Sequence, residues 1–462
     1  MSISVKQVTF ATLPMQTRFP FKYGIASMTE LPHLMVYVSV EWQGEVVQGI
    51  ASEGLPPKWF TKQADTTFAE DLPVFYDVIH HAADLAVEGE YANFFSWWQH
   101  LYHEQAKWAL ELGHPGLLAN LGVSLLERAV LDGICRASHT SLHVALHNNL
   151  LGIDLGAVHP ILEGMTPRDV IASRPHKHLY IRHTIGLGDP LVRDEEELDD
   201  GLPVSLEAVI ANTGCRYFKI KVCGNLGVDI PRLTRLAQIL PVDSKFTIDG
   251  NEQYEDMKHF VEHIGEWRRV KEVHALLERG LLFLEQPLHR DVALERPLTQ
   301  PSDVDLPAVI IDEADADLSS LPKAFELGYA GTSHKNCKGI VKGLANAALV
   351  KKHDGILSGE DLANVGPIAL LQDCVMMSIL GIKHVERNGH HYFRGISMWP
   401  ECVQQRVLEL HRDLYTPSPK GFPALSIQAG KISVGSLLKA PFGCALDPTE
   451  DFVTFARSGR VD

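Results

Sequence analysis

The chain of 462 residues is long enough for a large core and for two or three domains. Its 45% hydrophobic content describes an ordinary globular composition, and a formal net charge of −16 argues against nucleic acid or an anionic membrane surface as a partner. No uninterrupted apolar run approaches the roughly 20 residues that cross a bilayer. The seven cysteines are scattered, odd in number and without C-x-x-C spacing, which suits free thiols in a reducing compartment. The start, Met1-Ser2-Ile3-Ser4-Val5-Lys6-Gln7, has no charged region leading into an apolar core. A cytoplasmic location is therefore expected.

Residues 1–60 read as antiparallel strands. Val5–Leu13 alternates, and Leu34–Val40 is a strand that turns at Gln43-Gly44 into Val46–Ala51, a hairpin pattern. Between them Arg18–Ser27, polar, aromatic and glycine-containing, reads as a loop. Residues 65–137 read as helical. The best segment is Leu117–Ala137, where Leu121, Leu125, Leu126, Ala129, Val130 and Ile134 fall at helical spacing. The aromatic cluster Phe94, Phe95, Trp97 and Trp98 reads as helix packing or an interface.

From about residue 150 strand and helix alternate. Strands are predicted at His178–Gly186, Tyr217–Val222, Lys245–Asp249, Gly280–Glu285 and Ala308–Asp312, then ending near Lys335, at Gly355–Ser358 and at Lys383–Glu386. Helices are predicted between them, among them Pro203–Thr213, Asp229–Leu240, Gly339–His353 and Pro367–Leu380. Such alternation implies right-handed βαβ units and a parallel sheet, and about eight such strands fit a closed barrel better than an open sheet. The acidic run from Arg193 to Asp200 reads as a solvated loop or a helix start. The last 60 residues leave the rhythm; Leu425–Val434 is hairpin-like with a turn at Ala429-Gly430 and is expected to complete the N-terminal domain. The expected organisation is an α+β capping domain (1–150), a barrel (151–400) and a returning segment (401–462).

Catalytic groups of parallel barrels stand where strands end. Lys219 and Lys221 point the same way because strand side chains repeat every second residue. Alone, such a pair reads as an edge strand with lysines in water. Downstream, Asp249 ends its strand in Thr247-Ile248-Asp249-Gly250-Asn251, Glu285 in Phe283-Leu284-Glu285-Gln286-Pro287, Asp312 in Ile310-Ile311-Asp312-Glu313 and Lys335 in Ser333-His334-Lys335-Asn336. The intervals from Lys221 onward are 28, 36, 27 and 23 residues, each near one βα unit. Any one of these acids would serve as a helix N-cap. Three of them converging on a barrel mouth call for a cation, and a few carboxylates completed by water and substrate suit Mg²⁺.

The order K-x-K, D-x-N, E-Q-P, D-E and then a lysine before a glycine-containing helix resembles the enolase superfamily, and within it the mandelate racemase/muconate lactonizing enzyme subgroup. The resemblance covers nearly the whole chain. Arg18–Ser27 is similar to the mobile capping loop, Val46–Glu53 to the G-x-G-E strand end, Leu125–Asp132 to the helix leading into the barrel, and Leu425–Gly443 to the C-terminal return. It implies an α/β fold with a modified TIM barrel of the (β/α)7β type and an α+β cap. It also implies that Asp249, Glu285 and Asp312 bind Mg²⁺, or Mn²⁺ in its place. Lys221 and Lys335 would be acid/base groups on opposite faces of a carboxylate substrate, and Lys219 would hold down the pKa of Lys221 and help bind the carboxylate.

Lys338 competes with Lys335 for the second acid/base role; Lys335 is preferred because it ends the strand. Asn251, His183, Glu360 and His391 are candidates for contact with substrate. Members acting on dipeptides would show Asp-x-Asp on the last barrel strand, where this chain has His384-Val385-Glu386-Arg387-Asn388. The function expected is removal of the α-proton of a small carboxylate to a metal-stabilised enolate, by a racemase, epimerase or cycloisomerase. β-Elimination on the same site, a metal-assisted hydrolase or aldolase, and a non-catalytic relative are the alternatives. A homo-oligomer is expected by resemblance.

Overall fold

The computed structural model describes residues 2–193, 198–298 and 306–461, so most of the acidic run at 194–197 lies outside the described residues. Strands β1 (Ile3–Leu13), β4 (His33–Trp42) and β5 (Glu45–Gly54) form an antiparallel sheet in the order β1-β4-β5. Gln43 and Gly44 both take positive φ, 55° and 87°, which gives the two-residue turn whose twist matches its strands. The segment read as a loop is instead a second hairpin, β2 (Gln16–Tyr23) and β3 (Ala26–Glu30), turning through Gly24. Its register is interrupted between Gln16 and Phe21, where Pro20 has no N–H to give a ladder.

Thr67 and Asn93 cap the helices Phe68–Ala86 and Phe94–Leu112 with reciprocal capping boxes. The aromatic cluster of the second helix is buried packing. The helix Gly116–Ala137 lies against β5 so closely that a Cβ on Gly49 would strike the Ala129 carbonyl and the Gly133 backbone. From its far side Glu127 accepts the backbone N–H groups of Ile340 (2.8 Å) and Val341 (2.7 Å). A carboxylate from the N-terminal region thus neutralises the start of the barrel helix Ile340–Lys352.

Eight parallel strands close the barrel: β6 (His178–Ile185), β7 (Tyr217–Lys221), β8 (Lys245–Asp249), β9 (Leu281–Glu285), β10 (Val309–Ile311), β11 (Gly331–His334), β12 (Ile356–Gly359) and β13 (His384–Arg387), with β13 pairing back onto β6. The register sets Lys221 beside Asp249 and Asp249 beside Glu285 on successive strands. This is the α/β architecture expected, a parallel barrel preceded by an antiparallel α+β region.

The C-terminal segment differs in part from expectation. After the pair β14 (Tyr415–Pro417) and β15 (Pro423–Leu425), strand β16 (Lys431–Ser433) joins the barrel antiparallel to the start of β6 rather than the N-terminal sheet. The contact with that sheet comes later in the chain: Phe10 and Ser458 exchange backbone hydrogen bonds, and the Arg457 guanidinium lies 3.7 Å from the Tyr37 ring centre. All seven cysteines are free, and no described helix is long and apolar enough to cross a membrane.

Candidate active site

On β7 the apolar residues Phe218 and Ile220 alternate with Lys219 and Lys221, and all four are buried. Lys219 is not an edge lysine. Its ammonium lies 2.9 Å from Asp249 Oδ2, 2.6 Å from Glu285 Oε1, 3.0 Å from Glu360 Oε2 and 2.8 Å from Glu386 Oε2. Burial works against its charge, but these four carboxylates prevail and hold its pKa well above the ordinary lysine value. Lys221 donates to the same Asp249 Oδ2 at 2.6 Å. The two ammonium groups are therefore bridged by a carboxylate instead of left to repel one another.

Across the barrel, Lys335 follows β11 and donates to both oxygens of Asp312 (2.6 and 2.7 Å) and to Glu360 Oε2 (2.8 Å). Its pKa is likewise held high, by Asp312 and Glu360 acting against burial. Its ammonium lies 5.1 Å from the centre of the Trp59 ring. Lys338 lies behind Asp312, bonded to the Asp312 carbonyl (2.7 Å) and to Ser333 Oγ (2.9 Å). The strand-end lysine lines the cavity and the helix-side lysine does not. Gln286 ties the two acidic strand ends together by accepting the Asp312 N–H at 2.7 Å.

Among the described residues one group of three ligating side chains lies close enough to share an ion: Glu285, Asp312 and Glu360, their oxygens within 4.8 Å of one another. Glu360 thus stands in this group where the sequence pattern pointed to Asp249, whose Oδ2 is taken by Lys219 and Lys221. The donor set fits a hard divalent cation. Glu285 Oε2 is buried without a hydrogen-bond partner. Burial, followed by the charges of Asp249 and Glu360, pushes the Glu285 carboxyl well above its usual range, a strain that a cation among these oxygens would relieve.

The barrel mouth opens into a small cavity. Its floor carries Lys219, Lys221, Asp312 and Lys335, with Asn251, Asp361, Glu386 and Asn388 around them. Its roof comes from the N-terminal region: Phe21, Tyr23 and Met28 from the hairpin, and Trp59. The hairpin is pinned by Arg18, whose guanidinium meets the Asp200 carboxylate (2.6 and 2.8 Å) and the His391 carbonyl (2.7 Å).

Of the four candidates for substrate contact, Asn251 lines the cavity. It takes φ 40° and donates to Glu313 Oε1 at 3.2 Å. Glu360 is held beneath, between Lys219, Lys335 and Arg182. His183 and His391 do not line the cavity; their rings pack on each other and, with His390, fill buried space beside the hairpin's Phe19. Burial lowers His183 to about 3, so this cluster is neutral packing. Glu386, Asp361 and Asn388 went unassigned, although the rule that polar residues end barrel strands applies to β12 and β13 as well. Trp59, in Pro56-Pro57-Lys58-Trp59-Phe60, carries no local signal that separates a roof from a core.

No family model and no curated protein matches the chain. Solved structures do. The muconate lactonizing enzyme from Pseudomonas fluorescens complexed with muconolactone superimposes with a TM-score of 0.63 at 14% identity, over 98% of this chain and 99% of that one. The dipeptide epimerase from Enterococcus faecalis complexed with Mg and the dipeptide L-Leu-L-Tyr gives 0.60 at 15% identity, over 93% and 99%. The N-succinyl Arg/Lys racemase from Bacillus cereus gives 0.59 at 14%, over 96% and 98%. Over nearly its whole length, the chain has the fold of the mandelate racemase/muconate lactonizing enzyme subgroup of the enolase superfamily.

Proposed function

We propose that the protein is a Mg²⁺-dependent enzyme that removes the α-proton of a small carboxylate substrate, as a racemase, epimerase or cycloisomerase. One observation carries this reading. Lys221 on β7 and Lys335 after β11 reach a single cavity from strands four apart in an eight-stranded ring, hence from opposite walls. A carboxylate lying between them meets an amine on each face of its α-carbon. The fold shared with a solved racemase, a dipeptide epimerase and a muconate lactonizing enzyme agrees with it.

Glu285 and Asp312, with Glu360 as third donor, would hold the metal; Mn²⁺ suits the same oxygens. When bound, it supplies positive charge at the substrate's carboxylate oxygens, where negative charge grows as the proton leaves. Lys221 and Lys335 would take a proton from one face and return one to the other, Lys335 once a cation at Asp312 and Glu360 has drawn off the two carboxylates that keep it charged. Lys219, held charged by its carboxylates, adds fixed positive charge to the floor. Asn251 offers a hydrogen bond to a substrate oxygen at the rim. The hairpin and Trp59 keep bulk water from the α-carbon while it is deprotonated.

The test is α-proton exchange on a panel of carboxylates in D₂O, before and after dialysis against EDTA. Exchange that vanishes on chelation and returns with Mg²⁺ is the expected result; exchange indifferent to EDTA would overturn the metal's role. Trapping of the protein on a ketone or aldehyde substrate by borohydride would instead favour a lysine Schiff-base enzyme.

A further inference from the structure

The cavity is divided by chemistry. Every anion on its wall already has a cation. Asp312 is bound by Lys335 and Lys338, and Glu386 by Lys219 at 2.8 Å with Thr184 at 2.7 Å. Asp361 is paired with Arg387 at 2.8 Å and receives the Ala363 N–H at 3.2 Å. A substrate ammonium therefore has no uncommitted carboxylate to meet. Above the floor the surface is mostly apolar, from Phe21, Met28, Pro56, Trp59, Leu362 and Ala363, with Tyr23 adding a hydroxyl.

The roof is built to stay in place. Phe21 and Met28 are direct cross-strand partners in the hairpin, so both side chains face the same way. Trp59 is fixed from the barrel side. Arg290, the first residue of the short helix Arg290–Ala293 that follows β9, donates to the carbonyls of Trp59 (2.8 Å) and Phe60 (2.9 Å). The same guanidinium is clamped by both oxygens of Glu252 at 2.8 Å.

Resting on the α-proton reading above, we infer that the group the substrate carries beyond its carboxylate is uncharged and apolar, an aryl or branched alkyl group under Trp59. Trp59 is then a specificity-determining residue. Substrates with a free ammonium tail or a polyhydroxy chain are rejected, because Tyr23, Asn251 and Asn388 offer too few partners for polar groups desolvated against Phe21, Met28 and Trp59.

The experiment uses the Mg²⁺-loaded full chain and two readouts. Calorimetric binding compares 3-phenylpropionate, 4-aminobutyrate and gluconate. α-Proton exchange compares N-acetylphenylalanine, N-acetylalanine and glycylphenylalanine. The neutral aryl ligands should lead both series by about ten-fold or more. Trp59→Ala should collapse the phenyl-over-methyl preference toward unity, and Trp59→Phe should retain most of it; a ratio is unaffected by a variant that merely folds in lower yield. Equal or better binding of 4-aminobutyrate or gluconate, or an undiminished preference in Trp59→Ala, would overturn the inference. Apolar binding preference with no exchange on any compound would leave it standing and sink the α-proton reading instead. Exchange without preference would do the reverse.

Discussion

Glu360→Gln removes the anion on which three buried cations converge. Glu360 meets Arg182 at 2.9 Å, Lys219 at 3.0 Å and Lys335 at 2.8 Å, and also accepts from Ser358 at 2.6 Å. Arg182 and Glu360 side chains have no exposed surface, and the two lysines have 2% and 4%. At 3 Å and an effective dielectric near 20, each pair is worth about 5 kcal/mol of gross attraction. Most of that offsets desolvation, and other partners remain: Lys219 keeps three carboxylates, Lys335 keeps Asp312, and Arg182 keeps Ser358 and the Gly359 carbonyl. The net loss is therefore that of one broken buried pair, about 3–5 kcal/mol. Urea unfolding of the metal-free protein followed by circular dichroism measures it, with unchanged m-value as the sign that the denatured state is the same. A loss below about 1 kcal/mol would refute the charge-pairing account of the barrel floor. Mg²⁺ titration of the same variant gives a second reading. Affinity should fall at least about ten-fold, equivalent to 1.4 kcal/mol, and by more than in Asp249→Asn. The opposite order would return the third ligand to Asp249.

Arg290→Ala strips two backbone carbonyls and the Glu252 carboxylate of their shared donor; it should lower stability by about 2–4 kcal/mol and raise KM more than it lowers kcat, measured by urea unfolding and steady-state exchange. Gly49→Ala forces the helix Gly116–Ala137 away from β5 and should cost about 1–3 kcal/mol, visible as a lower Tm; an unchanged Tm would mean the helix is not seated there. His334 carries a sign-specific pH signature. Burial lowers it to about 3 in the folded chain against 6.5 unfolded, so the unfolded state takes the proton first. The stability it supports is present above pH 6.5 and drains away as pH falls toward 3. Between pH 7 and 5 that amounts to about 2 kcal/mol. The stability difference between the parent and His334→Gln should shrink by that amount over the same interval, and a constant difference would contradict it.

The barrel and the two lysine walls were legible because each rests on a short-range rule. Strand alternation put Lys219 and Lys221 on one side, and apolar runs ending in Asp249, Glu285, Asp312 and Lys335 marked strand ends. The same rule covers Glu360 and Glu386, but β12 and β13 have four residues each, and Glu386 sits among His384, Arg387 and Asn388 with no apolar run to announce it. The hairpin was obscured by Pro20 and Gly24, which read as breakers; the period of two in Phe19, Phe21 and Tyr23 was the stronger signal. In the C-terminal segment the turn at Ala429-Gly430 forms as predicted, with φ 49° and 71°, yet β16 pairs with β6. A three-residue strand does not specify its partner locally. The roof was beyond reach for a similar reason: the backbone of Trp59 is held over the cavity by Arg290, more than two hundred residues away in the chain.

The central claim is that Lys221 and Lys335 address opposite faces of one α-carbon. Its most direct measurement is α-proton exchange in D₂O, followed by NMR on the separate enantiomers of a carboxylate the Mg²⁺-loaded protein binds. Lys221→Ala should abolish exchange from one enantiomer and Lys335→Ala from the other, while each variant still binds Mg²⁺. Unchanged exchange of both enantiomers in both variants would contradict the claim.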